Sequence, residues 1–525
     1  MNGPTSLGER TVGEWSVASS RTYASPFADV LVEGVFTSPD GRVLTMPGFY
    51  DGDGTWKLRF NPDVAGDWQV EIRSRPANPD LTGQSAFTVE AGSRRGFLKA
   101  TPGQHWGFAF ENGEPFLAIG DTTYDLFGMD YCGGDVAGFI ARRRQQGHNL
   151  LRVRLTSSEF HPPDGDFAWQ NKPMWPWGGS RSAPRFDRFN LDWFRSIDRT
   201  VAAIEAHGDI GLEMIMEAWG FEFPFNDRTW FTAEWEELWL RYLFARYDAY
   251  SCVYFWTPLN EYEYYPNGDW NYKVAADRWA LRIGRWYKAL SPHQHISSVH
   301  NGPRLPPFAD RFRADPEAID NVMFQEWGAR DKDHSWLATG IEESIERAFA
   351  GWTGSAIFAE WGYERNPAYA LKLPGHEFCF RAHTRRSAWR GVTQTFGIIN
   401  GQENSWGPWM ELDTDLPGVA DIVVLKDFLT RDVPFHSLRK AKELVTGEFA
   451  PGHRPLALAS PGGRDAVIYF PAGGSAAIDV GGTSRWFDPR AGAYSDAAAL
   501  DGVYTAPVGT DADGHPLDSV LVIRR

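Results

Sequence analysis

From residue 12 to about 90, apolar and polar positions alternate in short runs. Leu31-Val-Glu-Gly-Val-Phe36, Trp56-Lys-Leu-Arg-Phe60, Asp67-Trp-Gln-Val-Glu-Ile72 and Ser85-Ala-Phe-Thr-Val89 each show the period of two expected of a half-buried strand. Ser38-Pro-Asp-Gly-Arg42 and Gly48-Phe-Tyr-Asp-Gly-Asp-Gly-Thr-Trp56 supply turns between them. Short strands at regular spacing predict a β-sandwich. Residues 91–115 follow as a bridging hairpin that ends in the turn Glu111-Asn-Gly-Glu-Pro115.

At Phe116 the pattern changes to apolar runs alternating with helical stripes. The predicted strands are Phe116–Gly120, Asn149–Arg154, Gly211–Met216, Val253–Trp256, His295–Val299, Asn321–Phe324, Ser355–Ala359 and Thr395–Ile399. Helices fall between them at 135–146, 191–206, 232–247, 273–290, 341–350 and 376–390; Leu191, Phe194, Ile197, Val201 and Ile204 form one stripe of the second. Eight strands with intervening helices predict a (β/α)8 TIM barrel rather than an open doubly wound sheet. The open sheet usually has a Gly-rich phosphate loop after its first strand, and Gly120-Asp-Thr-Thr-Tyr-Asp is not one. Past 445 short strands return, separated by Gly-rich turns. The expected fold class is multidomain α/β plus all-β: a β-sandwich over 1–95, a (β/α)8 barrel over 96–440 and a small β-sandwich over 441–525.

Composition narrows the chemistry. The 525 residues carry a net charge of −16, which disfavours nucleic acid and anionic membrane surfaces as partners. No run approaches the roughly 18 apolar residues of a membrane span, and no signal peptide is visible at the N-terminus, so the expected location is cytoplasmic. Cys132, Cys252 and Cys379 fit neither a disulfide framework nor a zinc pattern, and no metal or other cofactor is expected. A homo-oligomer is compatible with the sequence. The unusual count is 24 Trp. Several lie in polar, Pro/Gly-rich stretches (Trp169, Trp175, Trp177, Trp270, Trp327, Trp409), which suggests a binding cleft as well as loops packed down by their own aromatics.

Two glutamates stand out. Glu261, in Trp256-Thr-Pro-Leu-Asn-Glu-Tyr262, follows strand four; Glu360, in Ala356-Ile-Phe-Ala-Glu-Trp-Gly362, follows strand seven. Strand C-termini are where such barrels hold their chemistry. Two carboxylates across one cleft suit glycosidic bond cleavage, one attacking the anomeric carbon and the other protonating the leaving oxygen. A lone Glu at a strand end is ordinarily a solvated loop residue; two with Asn and Trp companions argue for chemistry. Glu217, Glu263, Glu326 and Glu403 also fall near strand ends and are expected to be structural or substrate-contacting. His300, after strand five, suits either a sugar hydroxyl or a satisfied core position. Asp121 and Trp219 are weaker candidates for a sugar subsite.

These residues resemble glycoside hydrolase clan A. That resemblance implies a retaining mechanism with Glu261 as acid/base, Asn260 on the sugar 2-hydroxyl and Glu360 as nucleophile. Asn149-Leu-Leu-Arg152-Val is similar to the clan's second strand, whose Arg supports the nucleophile, and Trp406 in Asn404-Ser-Trp-Gly is similar to the Trp that floors the sugar subsite. Leu117-Ala-Ile-Gly-Asp-Thr-Thr-Tyr-Asp resembles barrels related to apiosidases. The flanking motifs Gly66-Asp-Trp68 and Trp486-Phe-Asp-Pro-Arg-Ala-Gly492 resemble the sandwiches that accompany such barrels. Strand six departs from the clan: Phe324-Gln-Glu-Trp327 stands where a Tyr or His is usual, leaving Gln325 or Glu326 as the nucleophile's partner. The expected activity is exo-acting hydrolysis of an oligosaccharide or glycoside, with a furanoside or pentoside raised by the apiosidase likeness. The alternative is a carbohydrate-binding protein on a degenerate barrel.

Overall fold

The computed structural model describes residues 1–101, 107–157, 172–301, 305–328, 340–365, 381–395, 397–406, 414–511 and 514–525. Its centre is a closed barrel of eight parallel strands: β1 (Ala118–Thr122), β2 (Leu150–Arg154), β3 (Gly211–Ile215), β4 (Val253–Thr257), β5 (Ile296–Asn301), β6 (Asn321–Gln325), β7 (Ser355–Glu360) and β8 (Gly397–Asn400). β8 pairs with β1 to close the ring. Each expected strand is present, with its ends displaced by at most two residues.

Strand alternation decides what enters the barrel. On β2, Leu151 and Val153 pack outward in the core shared with the helices, while Leu150 joins the inner cluster that fills the barrel floor. Arg152 and Arg154 share the inward face of Leu150 and lie above it, fully buried. Ile296 plays the same part on β5 and puts His300 at the top of the inward face. β7 would break the rule, because Ile357 and Ala359 both belong to the inner cluster, so Glu360 would point outward. A register shift lets Phe324 pair with Phe358 and Gln325 with Glu360. The extra residue, Ala359, is the bulge that turns Glu360 inward.

The floor is sealed by a three-stranded sheet, Leu98–Thr101, Gly107–Phe110 and Pro115–Phe116. Its Leu98, Phe108, Phe110 and Phe116 pack against Tyr254 and Phe255. The wall of helices includes Leu191–His207, which is capped by the Asn190 side chain on the Trp193 N–H and ended by Gly208 in the left-handed region at φ 72°.

Before the barrel, a five-stranded and a three-stranded sheet enclose a core of Trp15, Phe36, Trp56, Phe60 and Trp68. This domain is tied to the barrel by Arg59, which donates to Asp198 and to the Arg246 carbonyl at 2.8 Å. After the barrel, a six-stranded and a three-stranded antiparallel sheet share a second core. The buried Arg385 of the helix Arg381–Thr395 donates to Asp518 of that domain at 3.1 Å. No helix among the described residues is long and apolar enough to cross a membrane.

The tryptophans divide. Trp175 and Trp177 are buried and pack on Phe186 and Trp239, so they hold a loop down. Trp270 is 59% exposed. Trp169 and Trp409 lie outside the described residues.

Candidate active site

The two singled-out carboxylates meet at the C-terminal mouth of the barrel. Glu360 ends β7. Its Oε2 accepts from Arg152 Nη1 at 3.0 Å and from the Tyr124 hydroxyl at 3.2 Å. Its Oε1 accepts from Gln325 Nε2 at 2.8 Å. Three donors therefore surround one side chain, one of them a buried guanidinium.

Arg152 is the hub. Its Nη2 donates to Asn260 Oδ1, and its Nε lies 3.5 Å from Glu213 Oε2. Glu213 is its in-register neighbour on β3 and accepts from Thr257 Oγ1 at 2.8 Å. Burial opposes the charge on Arg152, but the acids beside it, Glu213 and Glu360, outweigh it and keep the guanidinium protonated. Burial also pushes the Tyr124 and Tyr363 hydroxyls well above their usual range, so both remain neutral.

Glu261 is held differently. Its backbone adopts φ 53°, unusual for a residue with a side chain. The main chain leading to it is pinned to the loop after β3, where the Asn260 N–H donates to the Ala218 carbonyl at 2.9 Å. Burial raises the Glu261 carboxyl well above its usual range, and the charges of Glu360 and then Glu263 add to this; a Gln325 hydrogen bond and the Arg152 charge only partly offset it. The two carboxyls thus sit in different surroundings, Glu360 ringed with donors and Glu261 buried with its pKa raised.

His300 links the two. Its Nδ1 accepts the Glu261 N–H at 3.2 Å, and its Nε2 lies 3.5 Å from Glu360 Oε2. Burial and then the Arg152 charge drive its pKa well down, so the ring is neutral, with its proton on Nε2 facing Glu360.

The remaining candidates separate. Gln325 faces Glu360, but Glu326 points the other way: it accepts from the Gly328 N–H at 3.0 Å and from Ser344 Oγ at 2.5 Å. Neighbours on a regular strand face opposite ways, and Met323, two residues before Gln325, lies in the inner cluster. Asp121 is turned outward for the same reason, since Ala118 and Gly120 take the inner face; its Oδ2 accepts from Arg143 Nε at 2.6 Å in a buried ion pair. Glu217 is also committed, to Arg228 at 2.8 Å. Trp219 is half-buried beside Tyr124, at 5.1 Å between ring centroids. Trp406 ends the short helix Glu403–Trp406, and its side chain lies outside the described residues.

Three contributors were missed in the sequence: Tyr124, Tyr363 and Glu213. No group of three or more His, Cys, Asp or Glu among the described residues could hold a metal ion. A cavity of about 1100 Å³ lies at the opposite end of the barrel, lined by Phe108, Asn149 and Arg524 among others, away from these carboxylates.

A family model described as the apiosidase-like catalytic domain matches residues 105–432. A second, a domain of unknown function designated DUF5060, matches residues 11–75. No curated protein matches the chain by sequence. Among solved structures, a candidate glycoside hydrolase from Bacteroides vulgatus ATCC 8482 superposes with a TM-score of 0.71 at 16% identity, covering 99% of this chain and 100% of its own. A glycoside hydrolase family 5 protein from the same organism gives 0.60 at 17% identity, covering 82% and 94%. At such identities the likeness is one of fold. The family match spans more than half of the 525 residues, and on it the chain belongs to the apiosidase-like catalytic domain family of glycoside hydrolases.

Proposed function

We propose that this chain is a retaining glycoside hydrolase in which Glu360 attacks the anomeric carbon while Glu261 protonates the departing oxygen. The observation that carries this is the contrast between the carboxyls. Glu360 accepts from Arg152, Tyr124 and Gln325, which suits an anionic nucleophile. Glu261 keeps its proton by burial beside that charge, which suits a general acid. Attack forms the glycosyl ester at Glu360 and releases the leaving group with the Glu261 proton. Glu261, now a carboxylate, takes a proton from water as that water displaces Glu360, which restores both groups.

The supporting residues have assigned parts. Arg152 stabilises the carboxylate that reforms at Glu360. Asn260 uses its Oδ1 on Arg152, which leaves its amide Nδ2 to donate to a sugar hydroxyl. The family's name directs the substrate search to pentosides and furanosides.

The test is a screen of aryl α- and β-glycosides, furanosides included, with the product anomer followed by NMR. A product that first appears with inverted configuration would sink the retaining mechanism. Wild-type rates in both Glu360→Ala and Glu261→Ala on every cleaved glycoside would sink the assignment.

A further inference from the structure

Beside the carboxylates, a line of aromatic rings runs from the site to the surface. Trp219 meets Tyr124, which donates to Glu360. Phe221 stacks on Trp219 at 5.4 Å and 12°, and Trp270 stacks on Phe221 at 5.4 Å and 22°. Tyr264 closes the row, 4.9 Å from Trp270. Arg154 covers the inner ring at 4.2 Å. The outer rings are open to water: Phe221 is 39% and Trp270 59% exposed. Large exposed apolar rings in a continuous row mark a surface that is used.

The row is held in place without a ligand. Gly268 adopts φ 64° and sits so close to the Gly220–Phe221 backbone that a Cβ would lie 2.5 Å from the Gly220 oxygen. The loops after β3 and β4 are therefore locked main chain to main chain. Asn226 Nδ2 donates to the Phe221 carbonyl at 2.9 Å, and Lys273 clamps Asp269 at 2.6 Å. Trp270 itself is a bulky residue at φ 58°, an unfavourable conformation for the chain to maintain at a surface.

From this we propose that Phe221 and Trp270 form the subsite for the leaving group, and that the leaving group is itself a sugar ring stacked by its apolar face. The proposal rests on the hydrolase reading above and deepens it. Position argues for the leaving-group side: Trp270 and Tyr264 belong to the loop that Glu261 begins, and Glu261 delivers its proton to the departing oxygen. A sugar rather than a bare aryl group is favoured because Trp270 stands between polar Asp269 and Asn271, both exposed, which suit ring hydroxyls around a stacked face.

The experiment compares three donors that share the glycone found in the screen: a disaccharide, the p-nitrophenyl glycoside and the glycosyl fluoride, whose leaving group has no ring. Trp270→Ala, Phe221→Ala and Trp270→Phe are assayed on each; the first two positions are exposed enough for the fold to tolerate truncation. The disaccharide is expected to lose about tenfold more kcat/KM than the fluoride in Trp270→Ala, equivalent to roughly 1.4 kcal/mol, with Trp270→Phe recovering most of it. A larger loss on the p-nitrophenyl glycoside than on the disaccharide overturns the sugar assignment. Equal changes on all three overturn the subsite while leaving the hydrolase standing. If the wild-type protein turns over no donor, the hydrolase reading fails, and calorimetric titration with xylobiose and cellobiose decides the subsite: binding lost in Trp270→Ala supports it, and equal or absent heats overturn it.

Discussion

Replacing Arg152 with Met separates what this side chain does for the fold from what it does for the chemistry. Arg152 is completely buried and serves two carboxylates, Glu360 at 3.0 Å and Glu213 at 3.5 Å. Met fills similar space but leaves both acids buried without a cation. Removing one partner of a buried ion pair costs about 3–5 kcal/mol, or roughly 6–10 °C in melting temperature at the ~2 °C per kcal/mol of a large domain. Adding Glu213→Gln removes one of the two uncompensated charges, so the pair is expected to regain about 1–2 kcal/mol, within the usual coupling of contacting residues. Activity is not expected to return with it. Glu360 still lacks a charged hydrogen bond worth about 1.5–3 kcal/mol, a loss of roughly 10- to 150-fold in kcat/KM. Thermal melts and steady-state rates on the two single variants and the double variant give the cycle. If the double variant regained rate in step with stability, Arg152 would be a structural ion pair and the account of Glu360 would be wrong.

Other predictions follow from the same geometry. Glu261→Gln is expected to lose about 10²–10⁴-fold on glycosides with poor leaving groups and far less on activated ones. It is also expected to lose the alkaline limb of the pH–rate profile: the wild-type acid works below its raised pKa and fails as pH rises through it. Gln325→Leu removes an amide donor from the Glu360 carboxylate, for about a 10- to 150-fold fall in kcat/KM. Gln325→Glu, which places a third carboxylate against two, is expected to fall further; the reverse order would show that the amide does not serve the pair. His148 is fully buried, and burial first, then the Arg143 charge, brings its pKa down to about 3. The unfolded chain therefore binds more protons between about 3 and 6.5, and this contribution to stability is present above 6.5 and lost as pH falls toward 3. The urea midpoint of wild type is expected to drop between pH 7 and 5, and His148→Leu to drop less; parallel loss in both would remove His148 from the explanation.

The barrel was legible because fully buried parallel strands read as short apolar runs, and Leu150–Arg154 stood out by carrying two arginines in such a run. Glu261 and Glu360 were legible from their place after strands four and seven. Glu213 was not: inside Gly211-Leu-Glu-Met-Ile a buried acid looks like any other, and only its register opposite Arg152 reveals its use. Tyr124 and Tyr363 sit past strand ends, where no period says which way a ring turns. Asp121 and Glu326 show how alternation alone would have improved the reading, since each adjoins an inward position on its own strand. The Ala359 bulge shows the limit of that rule, because strict alternation would have turned Glu360 out of the site.

The central claim is that Glu360 becomes covalently attached to the sugar. Incubation with a 2-deoxy-2-fluoro glycosyl donor carrying an activated leaving group, followed by proteolysis and mass spectrometry, tests it directly. The account predicts time-dependent inactivation with one sugar on the peptide containing Ala356-Ile-Phe-Ala-Glu360, absent in Glu360→Gln. A label on Glu261 or Glu263 instead would contradict it, as would turnover of the parent glycoside with inversion and no label at all.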